Sequence, residues 1–123
     1  MEINSYKDLI VWQKSMELVK SVYELVAHFP KEEIYGLSSQ MKRSSISIPS
    51  NIAEGRRRGG RKELNYFLLI SYGSGAELET QLEIAKSLSF GKNLSYTKAE
   101  SLLSEVMRML NKMLSSLKSS QLS

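Results

Sequence analysis

The sequence contains no cysteine, which excludes disulfide bonds and metal sites built from thiolates. Because the sequence has a single histidine, His28, the Ser–His–acid and zinc arrangements either lack parts or rest on this one residue. No apolar run approaches the ~20 residues of a membrane-spanning helix, because lysine or glutamate interrupts each long apolar segment. The N-terminal MEINSYKDLI lacks the basic and then apolar stretches of a secretory signal. We therefore expect a cytoplasmic protein without a membrane anchor, a metal or a cofactor.

Only two prolines, Pro30 and Pro49, interrupt a chain of 123 residues in which apolar residues recur every three or four positions. No stretch shows the sustained alternation that is typical of a strand. The pattern predicts a single domain, residues 1–123, with helices at about 5–29, 32–55, 60–90 and 96–118. Short turns between such helices favour an all-α fold, an antiparallel up-down-up-down four-helix bundle. Pro49 lacks a backbone N–H inside the second helix, so we expect a kink there.

The first predicted helix carries two neighbouring apolar stripes, which is more apolar surface than one bundle seam needs. The stripe with the spacing of a seam consists of Leu9, Trp12, Met16, Val19, Tyr23 and Val26. The stripe assigned to a subunit contact includes Val11, Leu18, Val22 and Leu25. Since a small bundle cannot bury both, we predict a closed homo-oligomer. The spacing alone leaves open which stripe faces the neighbouring subunit.

Positive charge is concentrated in one short segment. Residues 42–62 hold seven basic side chains and one acid, Glu54, for a net charge of +6, whereas the other ten basic and twelve acidic residues sum to −2. The seven basic residues are Lys42, Arg43, Arg56, Arg57, Arg58, Arg61 and Lys62. Five of them lie in the glycine-rich turn RRRGGRK, so we predict that this segment binds the phosphates of RNA or DNA. A solvated charge run without a ligand is the alternative.

Two further groups of side chains adjoin this segment. Tyr66 and Phe67 follow the basic turn and are suited to stacking on unpaired bases, although core positions are the stronger expectation for both. A polar stripe on the second helix consists of Gln40, Arg43, Ser47, Asn51, Glu54 and Arg58. The stripe predicts either an internal hydrogen-bond network, with Glu54 pairing an arginine, or a surface that meets a ligand or a subunit.

No motif in the sequence supports catalysis. Neither the G-x-x-x-x-G-K-[ST] nor the G-x-G-x-x-G pattern of nucleotide-binding loops occurs. Glu79 and Glu83 lie one turn apart but lack the Glu-x-x-His partners of carboxylate-bridged iron bundles. We therefore expect that the protein is not an enzyme.

Three stretches of the sequence together follow a family pattern: DLIVWQKSMELVKSVYEL, HFPKEEIYGLSSQMKRSSISIPSNIAEG and, after the arginine-rich turn, GSGAELETQLEIAKSL. The chain resembles the four-helix-bundle proteins encoded in intervening sequences of bacterial 23S ribosomal RNA genes. The likeness is close from about Tyr6 to Phe90 and looser in the last helix. The matching positions are Trp12, Phe29, Pro30, Glu33, Gly36, Leu37, Gln40, Arg43, Ser47, Asn51, Glu54, Gly55 and Glu77. The segment from Gly73 to Gly75 departs slightly, because an apolar residue commonly follows the serine there.

The resemblance implies a bundle without established catalytic activity. Relatives include the accessory variability determinant of diversity-generating retroelements. The resemblance implies that this relative forms a basic, ring-shaped pentamer that binds nucleic acid and a reverse transcriptase. Our leading hypothesis is accordingly a homo-oligomeric scaffold, a pentamer, that binds nucleic acid. The resemblance also implies a reverse transcriptase as a further partner. The second hypothesis is an adaptor whose basic turn binds an acidic partner protein. The third, an enzyme with a carboxylate or arginine active site, needs a buried polar pocket that the sequence does not locate.

Overall fold

The computed structural model describes residues 5–122, with side chains as far as residue 119. Four helices follow one another along this range: α1 (Ile10–Val26), α2 (Leu37–Arg58), α3 (Arg61–Ser87) and α4 (Thr97–Leu122). Short 3-10 helices at Tyr6–Asp8 and Lys31–Glu33 precede α1 and α2, and no strand occurs within residues 5–122. The prediction of an all-helical fold with four helices is therefore confirmed. None of the four helices is both long and apolar enough to cross a membrane.

The ends of α1 and α2 have local causes that the periodicity did not reveal. The chain leaves α1 at Val26, because Pro30, four residues later, lacks the N–H that would bond the Val26 carbonyl; the Phe29 N–H bonds it at 3.0 Å instead. The second helix begins at Leu37 instead of near residue 32, since the Glu33 carboxylate accepts a hydrogen bond of 3.0 Å from the Leu37 N–H. It ends at Gly59, whose φ of 83° is in the left-handed region that glycine adopts without strain.

The helices enclose one apolar core. Within the described residues α1 contacts α2 and α4, and α3 contacts the same two helices, whereas neither α1 and α3 nor α2 and α4 approach each other closely. Every helix contributes fully buried side chains, among them Leu18, Val22, Met41, Ile48, Ile52, Leu68, Leu78, Val106 and Leu110. Burial of such side chains is the main favourable contribution to folding, at roughly 1.5–3 kcal/mol each.

The structure buries the stripe of α1 that was assigned to a subunit contact, and it buries the other stripe only in part. Val11, Leu18, Val22 and Leu25 are buried in the core of the single chain. Their assignment to a subunit contact is therefore wrong, because side chains enclosed by one bundle cannot touch a second copy unless the bundle opens. The stripe that was assigned to the seam is instead partly exposed, and its Met16 and Tyr23 remain 40% and 42% accessible.

The α2–α3 seam combines small residues with buried hydrogen bonds. Gly55 packs directly against Phe67 and Leu64, so closely that there is no space for a side chain at position 55. The Ser71 hydroxyl donates to the carbonyl of Ile48 at 2.9 Å. Further along, the Ser44 hydroxyl donates to Gln81 Oε1 at 2.7 Å in a buried position. These contacts fix α2 and α3 side by side along most of their length. The second helix continues through Pro49, which is buried.

We predict that alanine substitutions at two glycines have opposite effects on stability. A Cβ at position 55 would lie 2.9 Å from the Cβ of Phe67, so Gly55→Ala should lower the free energy of unfolding by about 1–3 kcal/mol despite the better helix propensity of alanine. At Gly73 a Cβ would meet no atom of another part of the described chain within 4 Å, so Gly73→Ala should raise it by roughly 0.5–1 kcal/mol. Urea unfolding followed by circular dichroism measures both changes, and a stabilised Gly55→Ala would contradict the close packing.

We also predict that the two stripes of α1 differ in their contribution to stability. Leu18→Ala removes a fully buried side chain and should lower the free energy of unfolding by about 2–5 kcal/mol. Met16→Ala, on the exposed stripe, is the matched control and should cost less than about 1 kcal/mol. Equal losses for the two variants in urea titrations would contradict the placement of the stripes.

Candidate nucleic-acid interface

The basic turn lies at one end of the bundle, between α2 and α3. Arg56, Arg57 and Arg58 form the last turn of α2, and α3 starts with Arg61 after the two glycines. The extended backbone of Gly60 and the left-handed Gly59 reverse the chain within two residues. All five cations of the turn, Lys62 included, are thus brought together where the two helices meet. We refer to the set as the basic junction: Arg56, Arg57, Arg58, Arg61 and Lys62.

Two shallow recesses flank the basic junction and share Arg56 and Gly59. One, of about 320 Å³, is also lined by Ser5, Tyr6 and Arg57. The other, of about 280 Å³, is also lined by Arg61 and by Leu117 of α4. The segment before α1 and the last turns of α4 therefore contribute to the same end of the molecule as the cations.

Specific contacts hold two of the junction arginines at the surface. Arg58 Nε donates to Glu54 Oε2 at 2.9 Å, and both side chains are about half exposed. This hydrogen bond, and then the nearby negative charge of Glu54, raise the pKa of Arg58 above its ordinary value. The Arg58 guanidinium lies 5.3 Å from the ring centre of Phe67, and that of Arg57 lies 5.7 Å from the ring centre of Tyr6. Aromatic rings thus orient both arginines without burying their charge.

The two helix ends at the junction have different electrostatic effects. The cations in the last turn of α2 lie beside the partial negative charge of a helix C-terminus, which stabilises them there. At the start of α3, Gly60 supplies no side-chain cap, so the N–H groups of the first turn add a partial positive charge to the junction. Glu63, in the same turn, offsets part of this charge. The sum still favours an anion near the turn.

The structure separates Lys42 and Arg43 from the basic junction. Both lie fourteen positions or so before Arg56 in α2, about 20 Å along the helix axis. The Lys42 ammonium lies 4.9 Å from the ring centre of Tyr23 in α1. Arg43 lines a recess of about 230 Å³ between α2 and α3, opposite Glu77. Grouping the seven cations into one surface was therefore an error, because separation along a helix is not visible in a charge count.

The polar stripe of α2 mostly forms internal contacts. The Ser47 and Ser74 hydroxyls share a hydrogen bond of 2.8 Å across the α2–α3 seam. Asn51 Nδ2 donates to the Ser47 carbonyl at 2.8 Å and to its hydroxyl at 3.0 Å. Together with the Glu54–Arg58 pair, these bonds support the hydrogen-bond network that was one of the two interpretations of the stripe. Gln40, Arg43 and Ser47 are the members that line the recess near Glu77.

Other sequence candidates lie away from the basic junction. His28 lines a recess at the other end of the bundle, with Asn93 and Lys98. Glu79 and Glu83 line a groove of about 450 Å³ between α3 and α4, and Lys86 in that region pairs with both Glu83 and Glu100. No group of three or more metal-binding side chains occurs among the residues whose positions are described.

Tyr66 is exposed, contrary to the expectation of a core position. Its side chain is 59% exposed, while Phe67 next to it is partly buried. The two rings meet edge to face with their centres 5.0 Å apart. In the sequence Leu64, Phe67 and Leu78 recur at helical spacing on one face of α3, and Tyr66 lies off that face. This offset is the signal in the sequence that indicates an outward position.

The sequence profile of the 23S rRNA-intervening sequence protein family matches residues 7–112, which include all of α1, α2 and α3. The chain belongs to this family. The family match covers the basic junction and most of α4. A comparison with curated proteins finds no match.

A solved structure supports the fold of this 23S rRNA-intervening sequence family member. It is a Bacteroides thetaiotaomicron protein of unknown function from the S23 ribosomal protein family. The two chains are 22% identical and superpose with a TM-score of 0.70, over 85% of this chain and 98% of the other. At this identity the likeness concerns the fold alone.

Proposed function

We propose that this protein is a non-catalytic, homo-oligomeric scaffold that binds nucleic acid through the basic junction. The observation that carries the proposal is the crowding of five cations around the turn at Gly59, where the acids nearby are Glu54 and Glu63. A run of phosphates is a ligand whose charge density matches such a cluster, and arginine can bind phosphate oxygens with two parallel hydrogen bonds. Contacts of this kind position a nucleic acid without selecting its sequence.

The alternative is an adaptor that binds an acidic partner protein or a reverse transcriptase, the second of which comes from the family resemblance. Nucleic acid is favoured because Arg57 and Arg58 are exposed and lie beside aromatic rings, an arrangement that suits phosphates and bases together. The two alternatives differ in their ligand and in how strongly salt weakens binding.

For the scaffold we propose the antiparallel up-down-up-down topology, with its site of action in the cytoplasm. Contacts between α2 and α3 support the topology because they pair early residues of one helix with late residues of the other, as in Ser44 with Gln81 and Gly55 with Phe67. Lys14 in α1 pairs with Glu105 in α4 at 3.5 Å, which fits the same arrangement. A bend of α2 near Pro49 stays a prediction that follows from the missing N–H.

For the oligomer we propose a closed ring, a pentamer as the resemblance implies, that uses the outer face of α1. Two large apolar side chains, seven residues apart on this face, are exposed: Met16 at 40% and Tyr23 at 42%. Exposed apolar groups that share one helix face are typical of a protein contact surface. This surface, the outer α1 face, replaces the buried stripe as the subunit contact.

We predict that neutralising the basic junction weakens nucleic-acid binding and reduces its dependence on salt. The variant Arg57→Ala/Arg61→Ala/Lys62→Ala removes three exposed cations. Each phosphate contact contributes a slope of about 0.7–0.9 in log affinity against log salt, so the variant should have both lower affinity and a flatter slope. Fluorescence anisotropy with a labelled oligonucleotide at several salt concentrations measures both quantities.

A matched control keeps the change in net charge constant. Lys31→Ala/Lys92→Ala/Lys98→Ala removes three exposed lysines near the other end of the bundle and should change affinity much less. If the two triple variants lose affinity equally, binding depends on net charge and the junction is not the site. If the parent protein binds no oligonucleotide at low salt, the adaptor becomes the better hypothesis.

We predict that Met16→Glu/Tyr23→Glu dissociates the oligomer while leaving helicity unchanged, because it places two charges on the outer α1 face and none in the core. Light scattering coupled to size-exclusion chromatography should show a multiple of the chain mass for the parent and the single-chain mass for the variant. Lys31→Glu/Glu32→Lys, a charge exchange at exposed positions outside α1, is the control and should retain the parent's mass. A monomeric parent at micromolar concentration would contradict the proposal.

A further inference from the structure

Tyr66 presents an aromatic ring to solvent beside the basic junction. Its side chain is 59% exposed and lies one helical turn after Lys62, on the same face of α3. Four residues of α-helix correspond to a rise of about 6 Å. A chain of phosphates held at Lys62 can therefore bring the group attached to it over the ring of Tyr66.

The position of the Tyr66 ring is supported from one side. Phe67 meets it edge to face at 5.0 Å, with an angle of 85° between the ring planes. Phe67 in turn packs against Gly55 in the α2–α3 seam and lies under the Arg58 guanidinium. Phe67 is thus fixed by the bundle, and its contact holds the Tyr66 ring on one side. The rest of the Tyr66 ring stays exposed to solvent.

The exposed apolar surface continues along α3. Leu69 and Ile70 follow Tyr66 at helical spacing and are also exposed, and Gly73 leaves open space on the next turn. This strip begins at the cations and runs away from them, so a ligand that fits it combines negative charge with flat apolar groups. Nucleic acid has both, but a duplex encloses the faces of its bases between neighbouring pairs. An unpaired strand leaves those faces accessible.

We propose that Tyr66 is a stacking platform for an unpaired base, and that the ligand class of the basic junction is single-stranded nucleic acid. The inference rests on the proposed function, because the cations of the junction must first hold the phosphates. Every base has a π face, so stacking on Tyr66 discriminates single strands from duplexes and not one sequence from another. RNA and DNA single strands share this chemistry.

The test compares a labelled single-stranded oligonucleotide with the same oligonucleotide annealed to its complement, as RNA and as DNA. Tyr66→Leu keeps an apolar side chain but removes the π face, and should weaken single-strand binding about fivefold or more. Duplex affinity should stay within about twofold of the parent's, since it depends on the cations. The loss should occur with both RNA and DNA.

A rescue variant provides a direct signal. Tyr66→Trp should retain single-strand affinity, because indole stacks at least as well as phenol. In a Trp12→Phe background position 66 holds the only tryptophan, and its fluorescence should be quenched by the single strand and much less by the duplex. Tyr35→Leu is the control: Tyr35 is 97% exposed and precedes α2, whose 22 residues place it about 30 Å or more from the junction, so this variant should bind both ligands like the parent.

Failure of this inference differs from failure of the proposed function. If Tyr66→Leu leaves single-strand binding unchanged, or weakens both ligands equally, while the junction triple variant loses affinity, only the stacking platform is wrong. If the parent binds neither ligand, the proposed function fails first. A Tyr66→Leu variant with unchanged affinity and a smaller mass in light scattering would make this strip of α3 a contact between copies, and the inference would be overturned.

Discussion

The close packing of α2 against α3 is the constraint on which the rest of the structure depends. Gly55 lets the two backbones approach near the junction, and the hydroxyls of Ser44, Ser47 and Ser71 hold the helices together further along. Buried hydroxyls would be costly without partners, so these bonds also select one register of the two helices. The packed seam extends almost to Gly59, so the two helix ends that flank the turn are held rigidly. The cations on both sides of the turn are therefore kept in a small volume.

Crowding cations in this way works against stability, since like charges repel each other even at the surface. The structure limits the repulsion by local means: Glu54 pairs with Arg58, Tyr6 and Phe67 lie under two guanidinium groups, and the α2 C-terminus favours positive charge. None of these means buries the charge. Exposed ion pairs contribute little to the free energy of folding, so stability alone gives the basic junction no purpose. The proposed nucleic-acid ligand would supply one.

The sequence predicted the number of helices and the basic turn, because both depend on local features: apolar spacing, glycines and contiguous arginines. It could not decide which stripe of α1 faces the core, since two adjacent stripes of similar apolar content differ only in what packs against them. For this reason Leu18, which was expected at a subunit contact, is buried in the core, and Met16, which was expected in the seam, is exposed. Lys42 was grouped with Arg56 because both belong to one charged segment, although 14 residues of helix separate them. The exposure of Tyr66 likewise depends on Phe67, which occupies the inward position next to it.

The proposed contact surface and the proposed ligand site occupy different parts of the bundle, and this has a geometric consequence. Met16 and Tyr23 lie along the side of α1, whereas the basic junction lies at the end of the molecule. In a ring closed through the sides of the bundles, rotation about the ring axis would carry every junction to the same level along that axis. A strand held at one junction would then meet the next at high effective concentration, and modest affinity per subunit would become strong binding by the ring. A monomer has no such gain, so the self-association of this chain would determine its affinity for long strands more than for short ones.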